Sequence, residues 1–430
     1  MKFKIITLGC KVNTYESEYM LEQLLSSGYI YCEENPDIVI INTCSVTNMA
    51  DSKSLKIVRR ARRENPKSIL VVCGCSVQND INKYKDIDID ILIGNRKKKD
   101  IVALINNFIE NKEYYEFVNE ERNIEFENMQ VDKFTTHTRA FIKIQDGCNN
   151  FCSYCIIPYL RGDIRSKNFN DVVEEAKTLV LNGHKEIVLT GIHTGSYNDN
   201  GKDLSDLLEE LCKIDGLDRI RISSIEITEL NEKFMRVFKN NTKICNHLHV
   251  PLQSGSDNVL KRMNRKYDKD YYRKKINELR SIRSDISITT DTIVGHPYET
   301  DEDFLEYLEF CKEINFSKMH VFPYSIRTGT AASTMPQVEN SIKKERAKQL
   351  TQLSNELELN HMNSFIGKEL EVLTEEYDGE YTVGHTSNYL KVYIQGDYKL
   401  NMNYKCKITK LENDCLYGEA LTCAKEKIII

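Results

Sequence analysis

Gly147-Cys148-Asn149-Asn150-Phe151-Cys152-Ser153-Tyr154-Cys155-Ile156-Ile157-Pro158 packs three cysteines into eight residues. The C-x3-C-x2-C spacing lets one short polar loop offer three thiolates to one metal cluster. Cysteine is the soft ligand that iron–sulfur chemistry selects. A [4Fe–4S] cube held by only three cysteines keeps one iron open for a substrate or cofactor. Ferredoxin runs are spaced C-x2-C-x2-C, and zinc ribbons use two separated pairs. Free cysteine is commonly a small core residue, but three so close together on a polar loop favour the metal.

Around this loop, residues 134–330 alternate strand and helix patterns. Ala140–Gln145, Glu186–Thr190, Arg219–Ser223, His247–Pro251, Ile286–Thr290 and Lys318–Phe322 read as strands. Asp171–Leu181, Leu204–Cys212, Asp270–Ile282 and Asp301–Ile314 read as amphipathic helices. The pattern predicts an open, partial TIM-like (β/α)6 barrel, which places chemistry at the C-terminal ends of its strands. Residues 1–110 predict a second α/β unit with a mostly parallel open sheet. Its strands are Lys4–Leu8, Asp37–Ile41, Ser68–Val72 and Asp90–Ile93, and its helices include Ser17–Leu25 and Ser52–Arg63. Residues 111–133 carry Glu113, Glu116, Glu120, Glu121, Glu125 and Glu127 and read as an acidic linker or loose hairpin. Residues 341–363 read as one helix. Short strands from Ile366 onward predict a small OB-like β-barrel. The expected division is 1–125, 134–363 and 366–430.

Composition agrees with such a chain. It has 430 residues, 40% hydrophobic and 29% charged, which suits a globular protein of two or three domains. No apolar run reaches about 18 residues, and the N-terminus lacks a signal-peptide pattern. Neither a membrane span nor secretion is expected. Fourteen cysteines point to the reducing cytoplasm. The net charge of −6 carries no footprint of nucleic acid, so any such contact must be local.

A second set of cysteines follows the predicted strands of the first unit. Cys10, Cys44 and Cys75 each lie just past a strand's C-terminal end, the edge where open α/β sheets bind ligands. Three loops therefore have the means to bring three thiolates to one cluster, although a cysteine also suits a tight strand-to-helix turn. Cys73 is a rival ligand, but it falls inside the strand run, and Cys75, just past the run's end, is favoured. Cys32, Cys212, Cys245, Cys311, Cys406, Cys415 and Cys423 read as core or surface thiols. His247 and His249 share one strand face, where packing is favoured over a metal.

The cysteine loop and the aromatic Tyr154 within it resemble the radical S-adenosylmethionine (SAM) superfamily. Leu8–Asn13, Asn42–Thr47 and Gly74–Gln78 resemble the N-terminal part of methylthiotransferases. Asp146–Pro158, Arg161-Gly162, Arg165-Ser166, Val250–Ser256 and Asp291–Gly295 resemble that family's barrel motifs. The terminal barrel is similar to the RNA-binding TRAM domain. Gly9–Asn13 and His320–Thr330 are most similar to the branch acting on threonylcarbamoyladenosine in tRNA. Arg327 stands where the ribosomal-protein branch tends to carry an acid. His296 and Tyr298 depart from the usual Phe and Gly, and a packing variant is expected there.

The resemblance implies two [4Fe–4S] clusters and SAM. Cys148, Cys152 and Cys155 would hold the cluster whose open iron binds and cleaves SAM to a 5′-deoxyadenosyl radical. Cys10, Cys44 and Cys75 would hold an auxiliary cluster carrying the sulfur, methylated by a first SAM before a second activates C2 of the adenine. Tyr154, Thr190, Gly191, Glu226, Gln253, Ser254 and Gly295 are the expected SAM contacts, all but Tyr154 at or near strand ends. Turn chemistry is the plainer reading for the glycines and serine, and a solvated acid for Glu226. The implied partners are the tRNA anticodon loop and an electron donor such as flavodoxin or ferredoxin.

Two basic runs, Lys56/Arg59/Arg60/Arg62/Arg63/Lys67 and Arg96–Lys99, read equally well as phosphate contacts or solvated faces. From Ile366 on, eight Lys face eleven Asp plus Glu. There Tyr377, Tyr381, Tyr389, Tyr393, Tyr398 and Tyr404 either stack on bases or pack the barrel. The alternative functions are methylthiolation of isopentenyladenosine and a non-enzymatic iron–sulfur protein that binds RNA or passes electrons. Only an enzyme explains the glycine and Gln-Ser-Gly-Ser positions at strand ends.

Overall fold

The computed structural model describes residues 1–119, 121–134 and 138–421. Glu120 of the acidic stretch and Cys423 lie outside them.

The N-terminal sheet is six-stranded and wholly parallel. Its order is Ile30–Tyr31, Lys2–Thr7, Ile38–Thr43, Ile69–Gly74, Ile91–Ile93 and Tyr115–Phe117. Ile38–Thr43 and Ile69–Gly74 are buried at every residue, as expected for strands covered on both faces. Met20 and Leu24 of the helix Lys11–Ser26 cover one face together with Ile101 and Ile105 of Ile101–Asn111. Val58 and Ala61 of Asn48–Glu64 cover the other. The chain thus leaves its first and third strands toward opposite faces, which opens a crevice at their C-terminal ends.

The sixth strand, Tyr115–Phe117, falls where the sequence suggested a linker. The rest of that stretch is no loose hairpin either. Met129, Val131 and Phe134 enter the central core. Glu175 accepts from the Val131 amide at 2.8 Å, and the Met129 carbonyl accepts from the Tyr15 hydroxyl at 2.6 Å. Its acids alternate with the apolar residues that strap it down, so a charge count hides the strap.

The central strands form two parallel triplets. One holds Ala140–Lys143, Glu186–Thr190 and Arg219–Ile222, and the other His247–His249, Ser287–Val294 and Lys318–Pro323. An Ile220–Ile244 bridge and an Ile225 amide to His249 carbonyl bond of 3.0 Å join them. Among the described residues no pairing links Ala140–Lys143 to Lys318–Pro323, so the barrel is open on one side. At that opening Lys318, His320 and Phe322 are exposed.

Glu369–Asp378, Tyr381–Thr386, Lys391–Gln395, Asn403–Glu412 and Cys415–Ala420 close into a five-stranded OB-like barrel. It docks under the N-terminal ends of the central strands. Arg219 donates to the carbonyls of His385 and Glu371 at 2.8 and 2.9 Å, and Ser387 Oγ accepts from the Asn246 amide at 2.8 Å. Tyr389, in the left-handed region at φ 67°, sits beneath the guanidinium groups of Arg139 and Arg221. Among the described residues no helix is long and apolar enough to cross a membrane.

Candidate active site

Six cysteines converge on one cavity of about 350 Å3. Cys148, Cys152 and Cys155 enter from the barrel loop, and Cys10, Cys44 and Cys75 from the sheet edge. Cys10 and Cys44 stand at the crevice between the first and third strands, and Cys75 opens the short helix Cys75–Asn79. Cys73 instead packs into the sheet core on the other side. The close approach of Cys10 and Cys44 needs a glycine. Gly9 has φ +100°, and a Cβ there would lie 2.7 Å from Cys44 Sγ. Gly147 solves the same problem before Cys148: at φ +74° its missing Cβ would meet the Asp163 carbonyl at 2.0 Å.

The remaining predicted residues divide. Tyr154, Gly191, Glu226 and Gln253 line the cavity. Gln253 is held at φ 66° by backbone bonds to Asp291, Ile293 and the Tyr307 hydroxyl, and its buried Oε1 has no partner among the described residues. Gln253 thus combines a strained backbone with an unmet acceptor at the cavity wall. Thr190 is buried one residue behind Gly191, and its carbonyl accepts from the Ile144 amide. Ser254 and Gly295 do not face the cavity. Ser254 is fully buried in its own turn, where it accepts from the Ser256 amide at 3.3 Å. Gly295 makes room for Lys343, whose Cγ would lie 2.4 Å from a Cβ there, and its amide binds Glu299. Strand-end position puts both near the mouth, but Ser254 Oγ turns back into its own turn and Lys343 fills the space beside Gly295.

Arg265 and His193, both lining the cavity, escaped the sequence reading. Arg265 ion-pairs with Glu226 and donates to Cys152 Sγ at 3.3 Å. His193 stands 3.9 Å from Cys148 Sγ and pairs with Glu229 at 2.6 Å. Both come from irregular segments without a periodic signal. The His296 departure is a packing feature: its Nε2 lies 3.0 Å from Ser153 Oγ inside the cluster loop, and burial pulls the imidazole down to about 4.

Beneath the cysteines the two α/β units are joined by buried ions. Arg161 reaches Glu16 at 3.1 Å, Asp146 at 3.2 Å and Asn13 Oδ1 at 3.0 Å. Lys143 meets both acids at 2.8 Å, Arg165 meets Asp146 at 2.8 Å, and Lys98 pairs with Glu16. Full burial opposes ionisation of Glu16, but Lys143, Lys98 and Arg161 overcome it and hold the carboxyl well below the usual range. Asp146 is held down in the same way by Lys143, Arg161 and Arg165. Lys98 thus leaves the Arg96–Lys99 run as a phosphate contact. In the helix run, Arg59, Arg60 and Arg62 are likewise engaged, with Asp86, Glu64 and Asp90.

Two further cavities adjoin the first. One, of about 220 Å3, lies at the barrel's open side and is walled by Tyr154, Ile293, Phe322, Tyr324 and Arg327. Arg327 bonds Ser45 Oγ at 2.7 Å and Asn48 Oδ1 at 2.6 Å, which ties that wall to the loop after Cys44. The other, of about 580 Å3, runs down the barrel interior to the terminal barrel and holds His247, His249, His320 and Tyr389. His247 and His249 both bond Thr289 Oγ1 at 3.0 Å. Ligand atoms of His249, Asp291 and His320, from three neighbouring strands, lie within 4.8 Å of one another.

The open barrel with a three-cysteine loop at its strand ends defines a radical-SAM enzyme. Residues 142–311 match the Radical SAM superfamily, and residues 2–94 match the uncharacterized protein family UPF0004. The threonylcarbamoyladenosine tRNA methylthiotransferase MtaB of Bacillus subtilis (strain 168) is 42% identical over 98% of this chain and 97% of its own. The MtaB of Thermotoga maritima is 40% identical over 92% and 91%. A tRNA-2-methylthio-N(6)-dimethylallyladenosine synthase of Thermodesulfovibrio yellowstonii is 37% identical over 97% and 98%. The radical SAM methyltransferase TsrM of Kitasatospora setae shares the fold, with TM-score 0.55 at 13% identity over 74% of this chain and 72% of that one. The chain belongs to the radical-SAM methylthiotransferase family.

Enzymes of this family use SAM and [4Fe–4S] clusters, and the donor set fits them. The thiols divide three and three across one cavity. Burial pushes Cys44 up to about 11 and Cys155 up to about 12, so without metal these groups stay protonated. A metal is what holds such buried sulfurs as thiolates.

Proposed function

We propose that this protein is the tRNA methylthiotransferase that converts N6-threonylcarbamoyladenosine next to the anticodon to its 2-methylthio form. The observation that carries the reading is the single cavity shared by both cysteine triplets. Sulfur insertion at an aromatic C–H requires a radical source and a sulfur source within reach of one carbon, and the bound clusters and SAM supply that chemistry.

The chain's residues hold and shield. Cys148, Cys152 and Cys155 take one cluster, and Cys10, Cys44 and Cys75 the other. The Glu226–Arg265 pair, the Gln253 amide and the Gly191 backbone form a cradle for SAM's polar groups. Tyr154, Phe322 and Tyr324 offer ring faces to an adenine entering by the open side of the barrel. An anticodon-loop base must be splayed out to reach this depth. The exposed column of Lys318, His320 and Phe322, continued by Lys391 and Tyr393 of the terminal barrel, provides the track along which the loop lies. A small reductant, flavodoxin or ferredoxin, supplies electrons in the cytoplasm.

The test is nucleoside mass spectrometry. Anaerobically reconstituted protein is incubated with SAM, reductant and tRNA bearing threonylcarbamoyladenosine. Appearance of the 2-methylthio nucleoside is the expected result. SAM cleavage with that base unchanged, and conversion of isopentenyladenosine instead, would move the enzyme to the sister branch.

A further inference from the structure

Lys11 follows the cluster ligand Cys10, yet its side chain leaves the cysteine cavity. It enters the 580 Å3 cavity inside the barrel. Among the described residues it makes no ion pair and no side-chain hydrogen bond. The other lysines of that cavity are satisfied: Lys318 pairs with Glu358 at 2.7 Å and Lys391 with Glu376 at 3.2 Å. Lys11 is half-buried, and a cation withdrawn from water without a partner favours the arrival of an anion.

The surroundings are mostly polar, with Met362 and Leu390 among the lining residues. His247, His249, His320 and Tyr389 line the same space as Lys11. This cavity abuts the cysteine cavity where His249, lining one, meets Asp291, lining the other, at 3.4 Å. A base held in the cysteine cavity would have this space beside it, across the His249–Asp291 contact.

Resting on the methylthiotransferase reading, we infer that the cavity receives the N6 substituent of the substrate base and that Lys11 is its specificity-determining residue, binding the substituent's carboxylate. A threonylcarbamoyl group carries that carboxylate together with a hydroxyl and a urea, which suit histidine and tyrosine partners. A dimethylallyl group would leave Lys11 without an anion and would strip water from the imidazoles. A site built around polar groups rejects the analogue that lacks them. An RNA backbone phosphate is the other source of such an anion, and the test separates the two.

The experiment compares the affinity of the reconstituted holoenzyme for three anticodon stem-loops. They carry threonylcarbamoyladenosine, its carboxyl methyl ester, or plain adenosine. Wild type is expected to bind the free acid about 10- to 100-fold more tightly than the ester, the range of a charged hydrogen bond. Lys11→Gln should bind acid and ester alike, with ester affinity unchanged, and Lys11→Arg should restore much of the preference. Iron content verifies that each variant retains both clusters.

A wild-type ratio of one overturns the inference without any variant. So does a Lys11→Gln protein that keeps the wild-type ratio. Equal weakening on all three RNAs would assign Lys11 to a phosphate and overturn it too. Product formed with a ratio of one sinks the carboxylate pocket and leaves the enzymatic reading. Acid preference without product sinks the enzymatic reading and leaves the pocket.

Discussion

The two cysteine triplets reach the same cavity by opposite routes. Cys148, Cys152 and Cys155 come from one loop, so their geometry is local and is written in a single spacing. Cys10, Cys44 and Cys75 come from three strand ends 34 and 31 residues apart, and they meet only because the sheet is parallel and in register. The first site depends on a turn; the second depends on a folded domain. Damage to the loop should therefore stay local, whereas the second triplet should be sensitive to its supporting sheet.

The largest effects separate the triplets. Cys148→Ala should abolish SAM cleavage and product together, with iron falling by about four per chain. Cys44→Ala should lose as much iron and all product, yet still cleave SAM to 5′-deoxyadenosine. A Cys44 variant that makes methylthiolated base breaks the division of labour. Gly9→Ala comes next. Its Cβ would collide with Cys44, so it should behave like Cys44→Ala in iron content and turnover with the loop cluster spectroscopically intact.

Stability is the next tier. Glu16→Gln leaves Lys98, Lys143 and Arg161 short of a counterion, and removing one member of a buried ion group costs about 3–5 kcal/mol. Anaerobic denaturant unfolding should show this loss. Smaller again, Arg265→Lys should weaken SAM binding roughly tenfold, by losing a charged hydrogen bond, with little change in iron.

The pH response is the finest test. The Glu16 pKa is lowered on folding, so its contribution is fully present above the ordinary carboxylate range. It is lost only as pH falls through the depressed value. The stability gap between wild type and Glu16→Gln should therefore stay flat from about pH 7 to pH 5. A gap that closes within that window would mean that the three cations do not hold Glu16 ionised.

Much of this architecture was legible in the residues. The six barrel strands stand out as strand-like runs, and Cys73 is set apart from Cys75 because it lies inside the strand run while Cys75 lies just past its end. The strap at 121–134 was not legible, because its core residues Met129 and Val131 are spaced among acids. Nor was the ion network. Glu16 lies on a helix with little apolar bias, and Lys98 sits in a run that reads as surface charge. Ser254 and Gly295 show a different limit: position along a strand is a matter of counting, but which way a turn residue points depends on what packs behind it.

The buried ions have a consequence for how such a chain is inherited. Arg161 and Asp146 belong to the barrel, and Glu16, Asn13 and Lys98 to the sheet unit. A hybrid that took its front half from one relative and its middle from another would strand charges at the seam unless both parents had kept the same pairing. The two halves can drift apart in sequence elsewhere, but across this seam they must change in step, as two halves of one lock.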